Sequence, residues 1–381
     1  MWPVYIIVVA IAMVITGTIN TMSMKWADKI NATGYDGQVR EFDHPVLQTV
    51  FMFLGEFSCF LVFQLLWWYF SRRPTQPNQV AEDEHELIKG NKEFNIFYFL
   101  PPATLDMCAT SIMYLGLNLT YASSFQMLRG SVIVFTEILS MIFLERQFKA
   151  FRWAGIFVII IGLATVGLSD FSEGQSGGSV AMDQVILGDI LIVIAQVITA
   201  TQMVYEEKFC IRLDAPPLKA VGCEGLFGLL FTVLLLYPLN NIHVPEPYQN
   251  NPNGTIEDLH QAYAQVRNKP LLLVPLLGNT LSIAFFNFTG ITISKHKSAT
   301  TRMVLDTLRT FFIWFISLFI HWQTFHILQL YGFVIIIVGM GVFNEVWWSI
   351  PMFKNRYGRN ENTSNDDTRG LVNSQPADEP Y

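Results

Sequence analysis

The chain has 381 residues, of which 51% are hydrophobic and only 14% charged, with a formal net charge of −7. A soluble protein covers its apolar interior with about 25% charged residues, so this composition excludes a soluble enzyme, a nucleic-acid binder and a disulfide-stapled secreted domain. A helix that crosses the hydrocarbon of a bilayer needs ~20 largely apolar residues, and the chain supplies such runs repeatedly.

Ten apolar stretches follow one another at roughly 3–24, 45–70, 96–117, 123–144, 152–169, 187–208, 219–239, 270–293, 300–321 and 327–349. They predict an all-α polytopic membrane protein with ten transmembrane helices. The first stretch lacks a positive leader and a clean cleavage site, and reads as a retained helix. Seventeen of the 24 Lys and Arg residues follow the even-numbered spans or lie in the tail, and five follow the odd-numbered ones. That bias places both termini in the cytosol. The sequons at Asn31 and Asn253 then face the lumen, where glycosylation is expected. Trp67-Trp68 and Trp347-Trp348 suit the headgroup belt. In the lumenal loop 240–269, Thr255-Ile-Glu-Asp258 reads as a capping box, with Ile256, Leu259, Tyr263 and Val266 at helical spacing behind it. The cytosolic loop 71–95 carries Asp83-Glu-His-Glu-Leu87-Ile88, an acidic dileucine pattern of the kind sorting adaptors read. The polar tail 350–381 is predicted to be disordered.

The chain resembles itself. Gly155-Ile-Phe-Val-Ile-Ile-Ile-Gly162 matches Gly332-Phe-Val-Ile-Ile-Ile-Val-Gly339 at an offset of 177, which also sets Ala122-Ser-Ser124 against Ala299-Thr-Thr301. Val14-Ile-Thr16-Gly-Thr18 matches Val197-Ile-Thr199-Ala-Thr201 at an offset of 183, and Glu56 has a rough counterpart in Glu224. Five spans per half make the second half inverted relative to the first, with halves at 1–170 and 171–349. Inverted repeats are the architecture of alternating-access carriers, whose substrate site lies between the halves.

Charge inside a membrane helix costs ~2.5–3.5 kcal/mol even on lenient scales, so such residues face a cavity or a partner. The candidates are Glu56, Asp106, Arg129, Glu137, Glu224, Asp306 and Arg309, with Arg302 near the cytosolic end of the ninth span. Arg302, Asp306 and Arg309 share one helical face. The 177 offset makes Arg129 and Asp306 equivalent, so a pseudo-twofold predicts that they meet at the central site, with Asp106 and Gln126 lining the same cavity. Gln196, Gln202, Asn279 and Asn287 are polar candidates for solute binding or for hydrogen bonds between helices. The intramembrane excess is acidic, which suits proton coupling or a cationic or zwitterionic substrate. No cofactor loop, metal cluster or nucleophile set is legible, so no cofactor, no metal and no catalytic activity are expected. The four cysteines, Cys59, Cys108, Cys210 and Cys223, read as small apolar packers.

Ser123-Ser-Phe-Gln-Met-Leu-Arg-Gly130, Ser298-Ala-Thr-Thr-Arg-Met-Val-Leu-Asp306, Leu54-Gly-Glu-Phe-Ser58 and Glu206-Glu-Lys-Phe209 together resemble the drug/metabolite transporter superfamily. Within it they are most similar to solute carrier family 35, subfamily F, a relative of the nucleotide-sugar transporters and of the chloroquine-resistance-type carriers. The resemblance spans roughly 10–348. It implies ten helices in two inverted repeats and a lysosomal setting, with mitochondrial and Golgi membranes as alternatives. The expected activity is secondary transport of a small solute across an endolysosomal membrane. The alternative is a non-transporting scaffold that binds a mitochondrial carrier. Expected partners are a small-molecule solute, the lipid bilayer, sorting adaptors and, in a homodimer, a second copy of the chain.

Overall fold

The computed structural model describes residues 4–72, 89–119, 128–145, 150–174, 182–243, 252–321 and 327–343. The first half contributes α1 (Val4–Asp28), α2 (Pro45–Ser71), α3 (Leu100–Leu119), α4 (Val132–Leu144) and α5 (Ala150–Gly174). The second contributes α6 (Met182–Arg212), α7 (Pro217–Leu239), a short α8 (Leu259–Asn268), α9 (Leu273–His296), α10 (Ala299–Phe319) and α11 (Ile327–Phe343). Among the described residues, six helices are long and apolar enough to cross a membrane: α1, α2, α3, α6, α7 and α9. Apolar runs without competing water favour the helix, because each backbone polar group is satisfied within its own segment. Hydroxyls do the same: Thr16, Thr18, Thr136, Thr232 and Thr292 donate to carbonyls one turn back at 2.7–2.8 Å. Proline at the first turn starts α2 and α7, where its missing N–H costs nothing.

The most extensive helix contacts keep their places when the first to fifth apolar helices are exchanged for those of the second half. α5 lies along α11 and α2 along α7; α3 packs on α6 as α1 packs on α9, and α4 on α6 as α1 on α10. The α5–α11 crossing shows why the repeated glycines stand where they do. A Cβ at Gly162 would come 2.6 Å from Ile336 Cγ1 and 2.8 Å from the Gly332 carbonyl. A Cβ at Gly339 would come 2.8 Å from Ile159 Cγ1 and 3.0 Å from the Gly155 carbonyl. The two contacts are the same contact displaced by 177 residues, and only a small residue fits either. Outward faces carry exposed Leu65, Trp68, Val233, Leu234, Leu281, Phe285 and Phe315, as a surface in contact with lipid requires. Cys59, Cys210 and Cys223 are buried in one apolar cluster with Phe63 and Phe99, while Cys108 is exposed.

One end of the bundle bears a cap. The connection after α1 folds into a hairpin of β1 (Asn31–Thr33) and β2 (Val39–Glu41), paired antiparallel from Asn31↔Glu41 to Thr33↔Val39. Apolar periodicity does not announce it; the signal is Asp36-Gly37, where Gly37 takes φ +75° and Asp36 Oδ1 accepts from the Gln38 amide. α8 closes over the hairpin. His44, buried between the two, bonds Glu257 Oε1 at 2.7 Å through Nδ1 and Gln265 Oε1 at 3.0 Å through Nε2.

Two details of the 240–269 loop differ from expectation. Thr255 does not cap a helix: its hydroxyl donates to the Glu257 carbonyl, and Asp258 is the residue whose side chain accepts from the Gln261 amide at the start of α8. The buried face of α8 is Gln261, Ala262 and Gln265, with Tyr263 largely exposed and Ile256 outside the helix. The hairpin beneath offers backbone carbonyls, so amide side chains suit it better than an apolar stripe.

Candidate functional site

The site begins with a stripe of small residues. Gly222, Gly225 and Gly228 on α7 face the α2 backbone and the Phe53 ring so closely that a Cβ at any of them would collide. With α2 and α7 so close, Glu56 on α2 and Glu224 on α7 share one interior, and both are buried. Asp106 arrives from α3 and Glu206 from α6, and the four carboxylates all act electrostatically on one another. The cation they share is Arg302, one turn into α10 and 3% exposed. Its Nη1 donates to Glu206 Oε2 at 2.7 Å and its Nη2 to Asn287 Oδ1 at 3.2 Å. Asn287 donates in turn to Glu56 Oε1 at 2.6 Å, and Gln202 donates to Glu206 Oε1 at 2.8 Å. Next to this chain the Glu207 carboxylate accepts from the Ala299 amide at 2.6 Å, a negative group at the positive end of α10.

Five helices therefore converge on one guanidinium. Four carboxylates against one cation leave a formal excess of three negative charges when all are ionised. Such a concentration of like charge at low dielectric is costly unless protons or a bound cation offset it.

Three of the candidate acids, Glu56, Asp106 and Glu224, meet here together with Arg302, Gln202 and Asn287. The other two polar candidates serve packing. Gln196 donates to Met113 Sδ at 3.5 Å, tying α6 to α3. Asn279 accepts from Asn20 at 2.5 Å and donates to the Gln48 carbonyl at 3.3 Å, tying α9 to α1 and α2. Arg129 and Asp306 do line a common cleft, with Met303 and Thr310 on α10 and Leu163 and Phe333 across it. Asp306, however, is paired with Arg309 at 3.1 Å, and the Arg309 guanidinium lies over the Phe286 ring at 4.8 Å. Asp106 belongs to the acidic cluster and does not line that cleft, and Glu137 is buried in α4 and does not line it either. Gln126, Asp83, Leu87 and Ile88 lie outside the described residues. Asn31 is exposed on the hairpin, and Asn253 Oδ1 accepts from the Tyr35 hydroxyl at 3.1 Å.

Sequence reasoning missed Glu206 and Glu207. Both sit where α6 continues past its apolar stretch, so they read as the polar end of a span. Their burial, 1% and 0% exposed, is the property that marks them, and only the packing of α10 over α6 supplies it. Among the described residues no group of three His, Cys, Asp or Glu side chains gathers as a metal site would.

Comparison with known proteins completes the description. The family model for Solute carrier family 35 matches residues 7–246. The chain is 47% identical over 344 residues to Solute carrier family 35 member F6 of Homo sapiens, covering 90% of each chain. It is 28% identical over 168 residues to a UDP-galactose transporter of Schizosaccharomyces pombe, covering 40% of this chain and 47% of that one. A solved structure described only as a crystal structure of a protein matches with a TM-score of 0.55 at 11% identity, over 89% of this chain and 96% of that one. At that identity the likeness concerns the fold.

Proposed function

The chain belongs to solute carrier family 35, and on that premise we propose that it is a proton-coupled secondary carrier moving a small solute across an endolysosomal membrane by alternating access. The observation that carries this reading is the gathering of Glu56, Asp106, Glu206 and Glu224 around the buried Arg302. A scaffold has no use for so much buried charge, whereas carriers place ionisable groups where substrate and protons pass. The packing pattern supports ten crossings arranged as two inverted five-helix units, because exchanging the halves leaves every major helix contact in place. The orientation with both termini in the cytosol follows the Lys and Arg bias, and it puts the hairpin cap in the lumen. The endolysosomal address rests on the acidic dileucine signal at Asp83, Leu87 and Ile88.

Under alternating access the cluster sits between helices that must part, and protons arriving from an acidic lumen lower the negative charge that holds Arg302. The test is uptake by purified protein in proteoliposomes, with and without a pH gradient, against nucleotide-sugars, amines and small peptides. Gradient-dependent uptake of one class, lost in Glu224→Gln while folding is retained, is expected. Absence of uptake for every class under either gradient direction would count against transport.

A further inference from the structure

We propose that the acidic cluster is the substrate site and that it takes a small organic monocation, a guanidinium or primary ammonium group, for which Arg302 is a tethered stand-in. This rests on the carrier reading and names its substrate class.

Arg302 shows what the cluster accepts. One edge of its guanidinium is held by the Glu206 carboxylate and another by the Asn287 amide oxygen. The group lies flat against Gly290, where a Cβ would come 2.6 Å from Nε, so the space beside it exists only because that residue is glycine. Arg302 does not saturate the cluster. Its own Nε has no hydrogen-bond partner, and neither has Oε1 of Glu224, a residue 8% exposed that faces Glu56, Asp106, Glu206 and Arg302. A buried carboxylate oxygen without a donor is an acceptor waiting for one, since leaving it unmade is expensive. Asp106, which joins the cluster from α3, is only partly buried as a residue.

The chemistry selects among ligands. A nucleotide-sugar brings negative phosphates into a site that already holds excess carboxylate, and among the described residues Arg302 is the one basic side chain acting on these four acids, where phosphate recognition favours paired Arg or Lys. A bare divalent metal needs ligands converged on one point, and these carboxylates are spread over four helices without such a focus. An organic cation with several N–H donors can bond separated oxygen acceptors, as Arg302 does with the Glu206 carboxylate and the Asn287 amide oxygen. A second cation would bond Glu224 and Asp106 directly and compete with Arg302 for Glu206, loosening the link between α6 and α10.

The experiment measures binding and keeps it apart from flux. Purified full-length protein in detergent is titrated with methylguanidinium and benzylammonium as cations, benzyl alcohol as the neutral match and UDP-galactose as the anion, and thermal unfolding is read. The cations are expected to raise the midpoint saturably and the other two probes to leave it unmoved. In Glu224→Gln the cation response should need at least tenfold more ligand, while Asp36→Asn on the exposed hairpin should respond like the parent. Should Glu224→Gln fail to fold, Arg302→Ala serves instead: methylguanidinium should restore stability lost with the side chain. Stabilisation by UDP-galactose alone, equal cation response in Glu224→Gln, or no rescue of Arg302→Ala would overturn the proposal. Saturable cation binding without proteoliposome uptake would sustain it and refute the transport reading, whereas uptake of an anion without cation binding would do the reverse.

Discussion

Replacing Arg302 with Met removes the one guanidinium from the acidic cluster while keeping much of its apolar volume. In the folded protein Arg302 and Glu206 are both nearly inaccessible, with side chains 4% and 1% exposed and 2.7 Å apart. Taking away one partner of such a pair strands the other, and the expected loss is about 3–5 kcal/mol. Glu206→Gln is milder, because the amide keeps its contact with Gln202 and Arg302 still faces three carboxylates; about 1–2 kcal/mol is expected. The double variant removes the stranded charge along with its partner, so the two losses should fail to add by roughly 1–3 kcal/mol. Reversible unfolding in mixed detergent micelles, followed by tryptophan fluorescence, measures all four corners of the cycle. Losses that add to within about 0.5 kcal/mol would refute the reasoning, since the two side chains would then not depend on each other.

His44→Ala removes the imidazole bonded to Glu257 Oε1 while the Val46 amide keeps Oε2, and should cost roughly 1–3 kcal/mol locally, seen as faster hydrogen exchange across 31–41 with α10 unchanged. Gly162→Ala and Gly339→Ala each push a methyl group against backbone and isoleucine atoms, so each should lower stability by about 1–3 kcal/mol, with the two values equal within error in the same unfolding assay. Changing Leu87 and Ile88 to Ala should move the protein from internal vesicles to the cell surface; unaltered vesicular staining would remove the dileucine signal from the account.

The helices were legible because a lipid-facing helix needs only an uninterrupted apolar run, and the glycine match at the 177 offset was legible because α5 and α11 use one glycine spacing for one crossing. Helical periodicity placed Arg302, Asp306 and Arg309 on a shared face, yet that face is long enough to serve two neighbourhoods. Arg302 turns to α6 and α9, while Asp306 and Arg309 look to the α4 and α5 side and to Phe286. Which helices adjoin a given face is a tertiary fact, so the convergence of Glu56, Asp106, Glu206 and Glu224 was beyond reach. The hairpin was missed for a related reason: three-residue strands are too short for alternation to register, and their order comes from α8 and His44 above them.

The residues that join α6 to α10 are not repeated in the sequence. At the 183 offset Glu206 and Glu207 answer to Ser23 and Met24, and at the 177 offset Ala299 and Arg302 answer to Ala122 and Phe125. The residue types at these equivalent positions supply a hydroxyl, a thioether, a methyl group and a phenyl ring, with no carboxylate and no guanidinium. The two sequence halves are thus unequal in the groups they offer for such a fastening. A perfectly symmetric carrier spends equal time facing either way, and each ~1.4 kcal/mol by which one fastening exceeds the other shifts that division tenfold. On the carrier reading proposed above, the α6–α10 fastening would weight the resting molecule toward the conformation that keeps it, and a cation competing for Glu206 would shift that balance the other way.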